Sequence, residues 1–153
     1  MPGRIEARLK ELGITFKPAP APAGNYVPAV TTGNLVFIAG QVPVEDGQRK
    51  FIGKLGRDYQ VADGQKAARL CAIAVLNRLK DACDLDRVVR CVKLVGFVNS
   101  MPDFTDQPTV VNGASDLIVQ VFGDAGRHAR SAVGVASLPF GCAVEVEGIF
   151  EIG

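Results

Sequence analysis

Arg130-Ser131-Ala132-Val133-Gly134-Val135-Ala136 and Val144-Glu145-Val146-Glu147-Gly148-Ile149-Phe150-Glu151-Ile152 are the two stretches whose reading decides the fold. Side chains alternate between the two faces of a strand. In the second stretch the even positions are apolar, whereas Glu145, Glu147 and Glu151 share the other side. A sheet face covered by helices would take the even set. In the first stretch Val133 and Val135 share one side, and Arg130, Ala132, Gly134 and Ala136 the other. The expectation is that the face left uncovered carries Arg130, small residues and the carboxylates together. Such a face is either a solvated surface or a site.

Working outward, residues 130–137 and 143–152 read as strands linked by Leu138-Pro139-Phe140-Gly141. A third, long strand is expected over 86–98, which is dense in β-branched residues. Residues 63–83 carry apolar side chains at Ala67, Leu70, Cys71, Ala74, Val75 and Leu79, the spacing of a helix packed on a sheet, with Asp63 as candidate N-cap. A second helix is expected to begin near Phe104 or Pro108 and to stop at Gly123. Near the start, Val27–Val30 and Leu35–Ala39 flank Thr31-Thr32-Gly33-Asn34 as a hairpin, and a polar loop runs from Glu45 to about Tyr59. The order is β-β-α-β-α-β-β, an α+β domain with two helices on one face of a sheet. Residues 1–20 add an amphipathic helix, with Ile5, Leu9 and Leu12 on one stripe, and a Pro/Ala-rich arm.

The chain has 153 residues, 17 Lys+Arg against 16 Asp+Glu, and 48% hydrophobic residues. This is one domain's worth of core, so residues 1–153 are expected to form a single domain. A net charge of +1 without a basic run leaves no electrostatic footprint for a nucleic-acid partner. No apolar run approaches the roughly 20 residues that span a bilayer, and the charged N-terminus lacks a signal peptide's apolar core. Cytoplasmic placement is expected. Cys71, Cys83, Cys91 and Cys142 have no metal-ligand spacing and read as free thiols.

Several blocks resemble the reactive intermediate deaminase (Rid) family, also known as YjgF-like, endoribonuclease L-PSP or translation-initiation-inhibitor proteins. They are Asn25-Tyr26-Val27-Pro28, Ile38-Ala39-Gly40-Gln41-Val42-Pro43, His128-Ala129-Arg130-Ser131-Ala132-Val133, Leu138-Pro139 and Val144-Glu145-Val146-Glu147. The blocks occur in matching order from about Asn25 to Ile152. The added N-terminal helix and the long loop after Gly47 suggest a divergent branch.

The resemblance implies a chorismate-mutase-like (ferredoxin-like) fold, a homotrimer with clefts between neighbouring subunits, and hydrolysis of reactive 2-imino or enamine acids to 2-keto acids and ammonia without metal or cofactor. It assigns Arg130 to the substrate carboxylate, which a guanidinium holds as a two-pronged fork. Glu145 would orient or deprotonate the attacking water. Tyr26, Gly40 and Asn112 would line the cleft. Ala132 stands where many active members have Cys, which leaves substrate identity open. A small-carboxylate-binding protein using the same cleft is the alternative, and RNA cleavage is less favoured at this net charge. Read without the resemblance, Arg130 could instead pair with Glu145 or Glu147, Asn112 could be a cap, and His128, the single histidine, reads as a surface or capping residue.

Overall fold

A computed structural model describes residues 3–153. The two long helices form where the apolar periodicity requires them. Helix α2 spans Val61–Ala82 and buries Ala67, Ala68, Cys71, Ala72, Val75, Leu76 and Leu79; helix α3 spans Gln107–Phe122 and buries Val110, Val111, Ala114, Leu117, Ile118 and Val121. α2 opens two residues before Asp63. Gln60 is its cap, and Asp63 reaches back as the third helical residue to accept from the Gln60 N–H at 3.0 Å. Gly123 ends α3 with φ 63°, a left-handed conformation open to glycine.

Strands β1 (Ala29–Thr32) and β2 (Leu35–Gln41) form a hairpin whose two-residue turn is Gly33-Asn34, since both threonines stay in the ladder. The expected polar loop contains a second, small hairpin, β3 (Val44–Glu45) with β4 (Gln48–Arg49). Asp46 and Gly47 turn it with φ 53° and 77°, the geometry for which Asp-Gly is suited. Strands β5 (Val88–Asn99), β6 (Ala129–Val135) and β7 (Val144–Ile152) complete a five-stranded sheet in the order β1-β2-β7-β5-β6. All its pairs are antiparallel except β5 with β6, which α3 joins as a parallel crossover.

Both long helices lie on one face of this sheet. Val36, Ile38, Cys91, Leu94, Val98, Val144, Val146 and Phe150 are its fully or almost fully buried apolar side chains. Full burial of a residue such as Phe150 contributes roughly 1.5–3 kcal/mol. The layers are close: a Cβ on Gly96 would lie 2.5 Å from Val111 of α3, and one on Gly113 would enter the backbone of α2 at Gln65. The opposite face carries no helix. It presents Val30 at 52%, Phe37 at 40% and Val133 at 43% exposure, so large apolar side chains there face outward.

Helix α1 (Arg4–Glu11) buries Ile5 and Leu9 in the same core. Its cap comes from a distance. No side chain of the neighbouring residues caps it; Asp86 instead accepts from the backbone N–H groups of Arg4 and Ile5 at 2.9 and 2.8 Å. The Pro/Ala arm then lies along α2, where Asn77 donates to the carbonyl of Lys17 at 2.8 Å and Arg78 donates to that of Pro20.

Candidate functional site

The five residues expected at the site fall into two groups. Tyr26, Gly40 and Glu145 line one cleft of about 1110 Å³ between the arm, α2 and the β3–β4 hairpin. Glu145 projects from β7 on the face without helices, opposite Phe97 of β5. Its carboxyl titrates above the ordinary range, first because it is half-buried and then because Glu147 on the same face repels its charge. A side chain at position 40 would collide with this carboxylate, so glycine there lets the acid lie against the bulge where β2 leaves its register with β7. Tyr26 is 52% exposed at the rim. At the far wall the Arg49 guanidinium stacks 3.4 Å above the ring of Phe140, whose backbone is left-handed with φ 61°.

Arg130 and Asn112 are elsewhere. Arg130 of β6 pairs with Leu94 of β5, and its neighbours Ala132 and Gly134 pair with Gly96 and Val98. Leu94, Gly96 and Val98 all face the helices, so Arg130 does too. Its Nη1 donates to Asn112 Oδ1 at 2.8 Å and to Ser115 Oγ at 3.2 Å, both on α3. No carboxylate forms a salt bridge with this guanidinium among the described residues.

This corrects the expectation that Arg130 shares a face with the carboxylates. The small residues beside it do not line an open pocket; they make room for α3, and a Cβ on Gly134 would come within 2.9 Å of Gln107 and Ser100. The alternation within each strand is as expected, but β5 lies between β6 and β7, and two separate stretches of sequence do not state their relative facing. In one chain, two strand spacings and three residues of offset put the Cα atoms of Arg130 and Glu145 roughly 14 Å apart, with side chains on opposite faces. The alternative ion pair of Arg130 with Glu145 or Glu147 is likewise not formed.

Asn112 is no cap: it lies inside α3 and fixes the guanidinium. Two further residues complete this cluster, of which Ser115 carried no expectation. Ser115, one helical step from Asn112, touches both Arg130 and His128, with its Oγ 2.9 Å from His128 Nε2. Of the surface and capping readings of His128, the local contact fits the second: the ring is half-buried, and its Nδ1 lies 2.6 Å from the carbonyl oxygen of Gly126 at the end of the turn Gly123–Gly126. The i, i+3 spacing of Asn112 and Ser115 was the available signal, since such residues share a helix stripe. The four cysteines are free; burial pushes Cys91 up to about 12 and Cys71 well above its ordinary value, which leaves both as unreactive core thiols. No group of three or more His, Cys, Asp and Glu side chains suited to a metal ion occurs among the described residues. No helix there is long and apolar enough to cross a membrane.

Comparison with known proteins gives consistent matches. The family model described as "YjgF/chorismate_mutase-like, putative endoribonuclease" matches residues 6–149. Protein TCP17 of Trypanosoma cruzi is 53% identical over 152 residues, covering 98% of this chain and 95% of that protein. A solved structure from Agrobacterium tumefaciens, of a protein of unknown function, shares 51% identity with a TM-score of 0.89 and covers 97% of this chain and 93% of its own. Escherichia coli TdcF with bound serine superposes with a TM-score of 0.64 at 26% identity, over 88% of this chain and 94% of its own.

Proposed function

Because the chain belongs to the YjgF/RutC family, in the chorismate-mutase-like fold, we propose that it hydrolyses 2-imino and enamine acids to 2-keto acids and ammonia. The site is built between copies of the chain in a homotrimer. The observation that carries this reading is Arg130: a half-buried guanidinium oriented by two neutral acceptors, with no carboxylate partner among the described residues. Such a group favours an anion that can take a fork of hydrogen bonds. A 2-imino acid offers a carboxylate next to its electrophilic carbon. The relative with bound serine supports an amino-acid-like ligand of this kind.

Glu145 supplies the second function. A carboxylate whose affinity for protons is raised by burial is a better base than a solvated one, and it can orient and deprotonate a water aimed at that carbon. Most of the catalysis is then placement, because an iminium already reacts with water and needs no covalent nucleophile. Since the two side chains lie on opposite faces of one sheet, the reading requires Arg130 of one copy to meet Glu145 of another. The helix-free face, with Val30, Phe37 and Val133 outward, supplies the apolar surface for that assembly. Tyr26 and Gly40 belong to the Glu145 side of the joint cleft, Asn112 to the Arg130 side.

The test is to generate 2-aminoacrylate in situ and follow pyruvate and ammonia. Acceleration by the wild type that is lost in Arg130→Ala is the expected result. Absence of acceleration, with carboxylates still stabilising the protein against heat, would instead assign the cleft to a binding protein without turnover. The bound serine of TdcF is as compatible with that second reading.

A further inference from the structure

The geometry points to Ser115 and His128 as positioning residues for Arg130, joined in a directional relay that weakens the hold on the guanidinium when His128 takes up a proton. The inference rests on Arg130 holding the substrate carboxylate. It concerns what holds Arg130.

The direction of every bond in the relay follows from chemistry. The carbonyl oxygen of Gly126 can only accept, so His128 Nδ1, at 2.6 Å, carries the hydrogen. In a neutral ring Nε2 is then a bare acceptor, and the Ser115 hydroxyl, at 2.9 Å, donates to it. With its hydrogen turned to His128, the serine oxygen presents lone pairs to Arg130 Nη1 at 3.2 Å. Asn112 Oδ1 accepts from the same nitrogen at 2.8 Å. Side chains from α3 and the backbone of the turn before β6 thus set the plane of one guanidinium.

Protonation reverses the middle bond. An imidazolium has hydrogen on both nitrogens, so Nε2 donates to the serine oxygen and the serine hydrogen must turn away. One hydroxyl is then shared by two cations. The ring is half-buried and its proton affinity is lowered, first by burial and then by the charge of Arg130, so the neutral form holds at neutral pH. Glu145 of the neighbouring copy, which the proposed site sets opposite Arg130, titrates alike in wild type and Ser115→Ala and so cancels between them; within one chain the other charges near the relay are solvated. Arg127 and Asp124, in the turn before β6, pair with each other at 3.5 Å in solvent, while Asp116 on α3 and Lys93 on β5 are exposed.

The experiment measures pyruvate affinity by calorimetry between about pH 7.5 and about pH 5, a range that brackets histidine titration. At neutral pH Ser115→Ala binds pyruvate about 5- to 10-fold more weakly, the scale of one ordinary hydrogen bond, because the lost acceptor acts on the anion only through Arg130. Ser115→Thr keeps the hydroxyl and recovers most of the affinity. On acidification wild-type binding weakens, whereas Ser115→Ala binding does not, since it retains only the added attraction of a second positive charge for the anion. His128→Gln takes up no proton, so whatever its affinity at neutral pH, its binding does not weaken on acidification. Nitrogen-15 spectra report the ring directly, because His128 is the single histidine, and the Nδ1–H tautomer is expected. Parallel pH profiles in wild type and Ser115→Ala, or an Nε2–H tautomer, overturn the relay. Arg130→Gln separates the two layers. If it binds pyruvate as the wild type does, the carboxylate role of Arg130 fails and the relay's role fails with it; if its binding is lost while the profiles run parallel, the relay alone fails.

Discussion

The surroundings of Arg130 and those of Glu145 solve opposite problems. Arg130 lies at the parallel edge of the sheet, against a helix, and is held by what touches it: Asn112, Ser115 and, behind them, His128. Glu145 lies on the helix-free face and is placed by what is missing, the side chain that Gly40 lacks. A cation on a long, flexible stem needs acceptors to fix its plane. A carboxylate used as a base benefits from thin solvation and little else. On the proposed function, the two halves serve one reaction by different means, and each needs the other.

The sharpest way to break this comparison is to remove one half at a time. Arg130→Ala is expected to lower kcat/KM for 2-aminoacrylate by about 100-fold or more, the scale of losing a charged, hydrogen-bonded anchor. Glu145→Gln lowers kcat by about 100-fold while leaving carboxylate binding in place. Calorimetry beside steady-state kinetics separates the two effects.

The next test asks whether the halves belong to different copies. If each site of a three-fold ring takes Arg130 from one copy and Glu145 from its neighbour, random reassembly of Arg130→Ala with Glu145→Gln chains restores about a quarter of wild-type activity. Sites contained within one chain would restore none. Denaturation and refolding of the mixture, followed by the ammonia assay, decides between these outcomes.

Smaller effects probe each half's packing. Gly96→Ala would push a methyl against Val111 and displace α3, so it is expected to cost about 1–3 kcal/mol in chemical denaturation, and its kinetic damage should resemble that of Asn112 or Ser115 variants. The mildest test is Glu147→Gln. Charge repulsion from Glu147 is the second cause of Glu145's raised affinity for protons, and Glu145 must be ionised to act. Activity should fall on acidification at a higher pH than an ordinary carboxyl would dictate, and Glu147→Gln should move that acid limb to lower pH. A pH profile of kcat/KM reads the shift.

These halves also mark how far the sequence could be read. The alternation in residues 144–152 gave the right buried set, and the helix periodicities placed α2 and α3 to within a few residues. The side on which Arg130 lies was misjudged because small residues have two uses. Ala132 and Gly134 resemble the floor of an open pocket, but close helix packing demands small residues equally, and only the register of β5 with β6 distinguishes the two. The contact of His128 with Ser115 was not legible for a related reason: it forms only once α3 has crossed over to β6, whereas the bond to the Gly126 carbonyl is local. Gly40 lay in a recognisable strand-ending block, although nothing local indicated that a carboxylate from over 100 positions away would occupy the space beside it.

Asp86 makes a comparable long-range connection at the other end of the chain. Because its carboxylate serves as the cap of α1, the first helix has no local means of satisfying its leading amides, and a peptide of those residues alone would fray. The extension is accordingly not a detachable tag on a finished domain. Its leading amides are satisfied only when the turn before β5 is in place, so native-state hydrogen exchange is expected to find α1 opening together with that turn. A strain there would reach the sheet whose two faces carry Arg130 and Glu145.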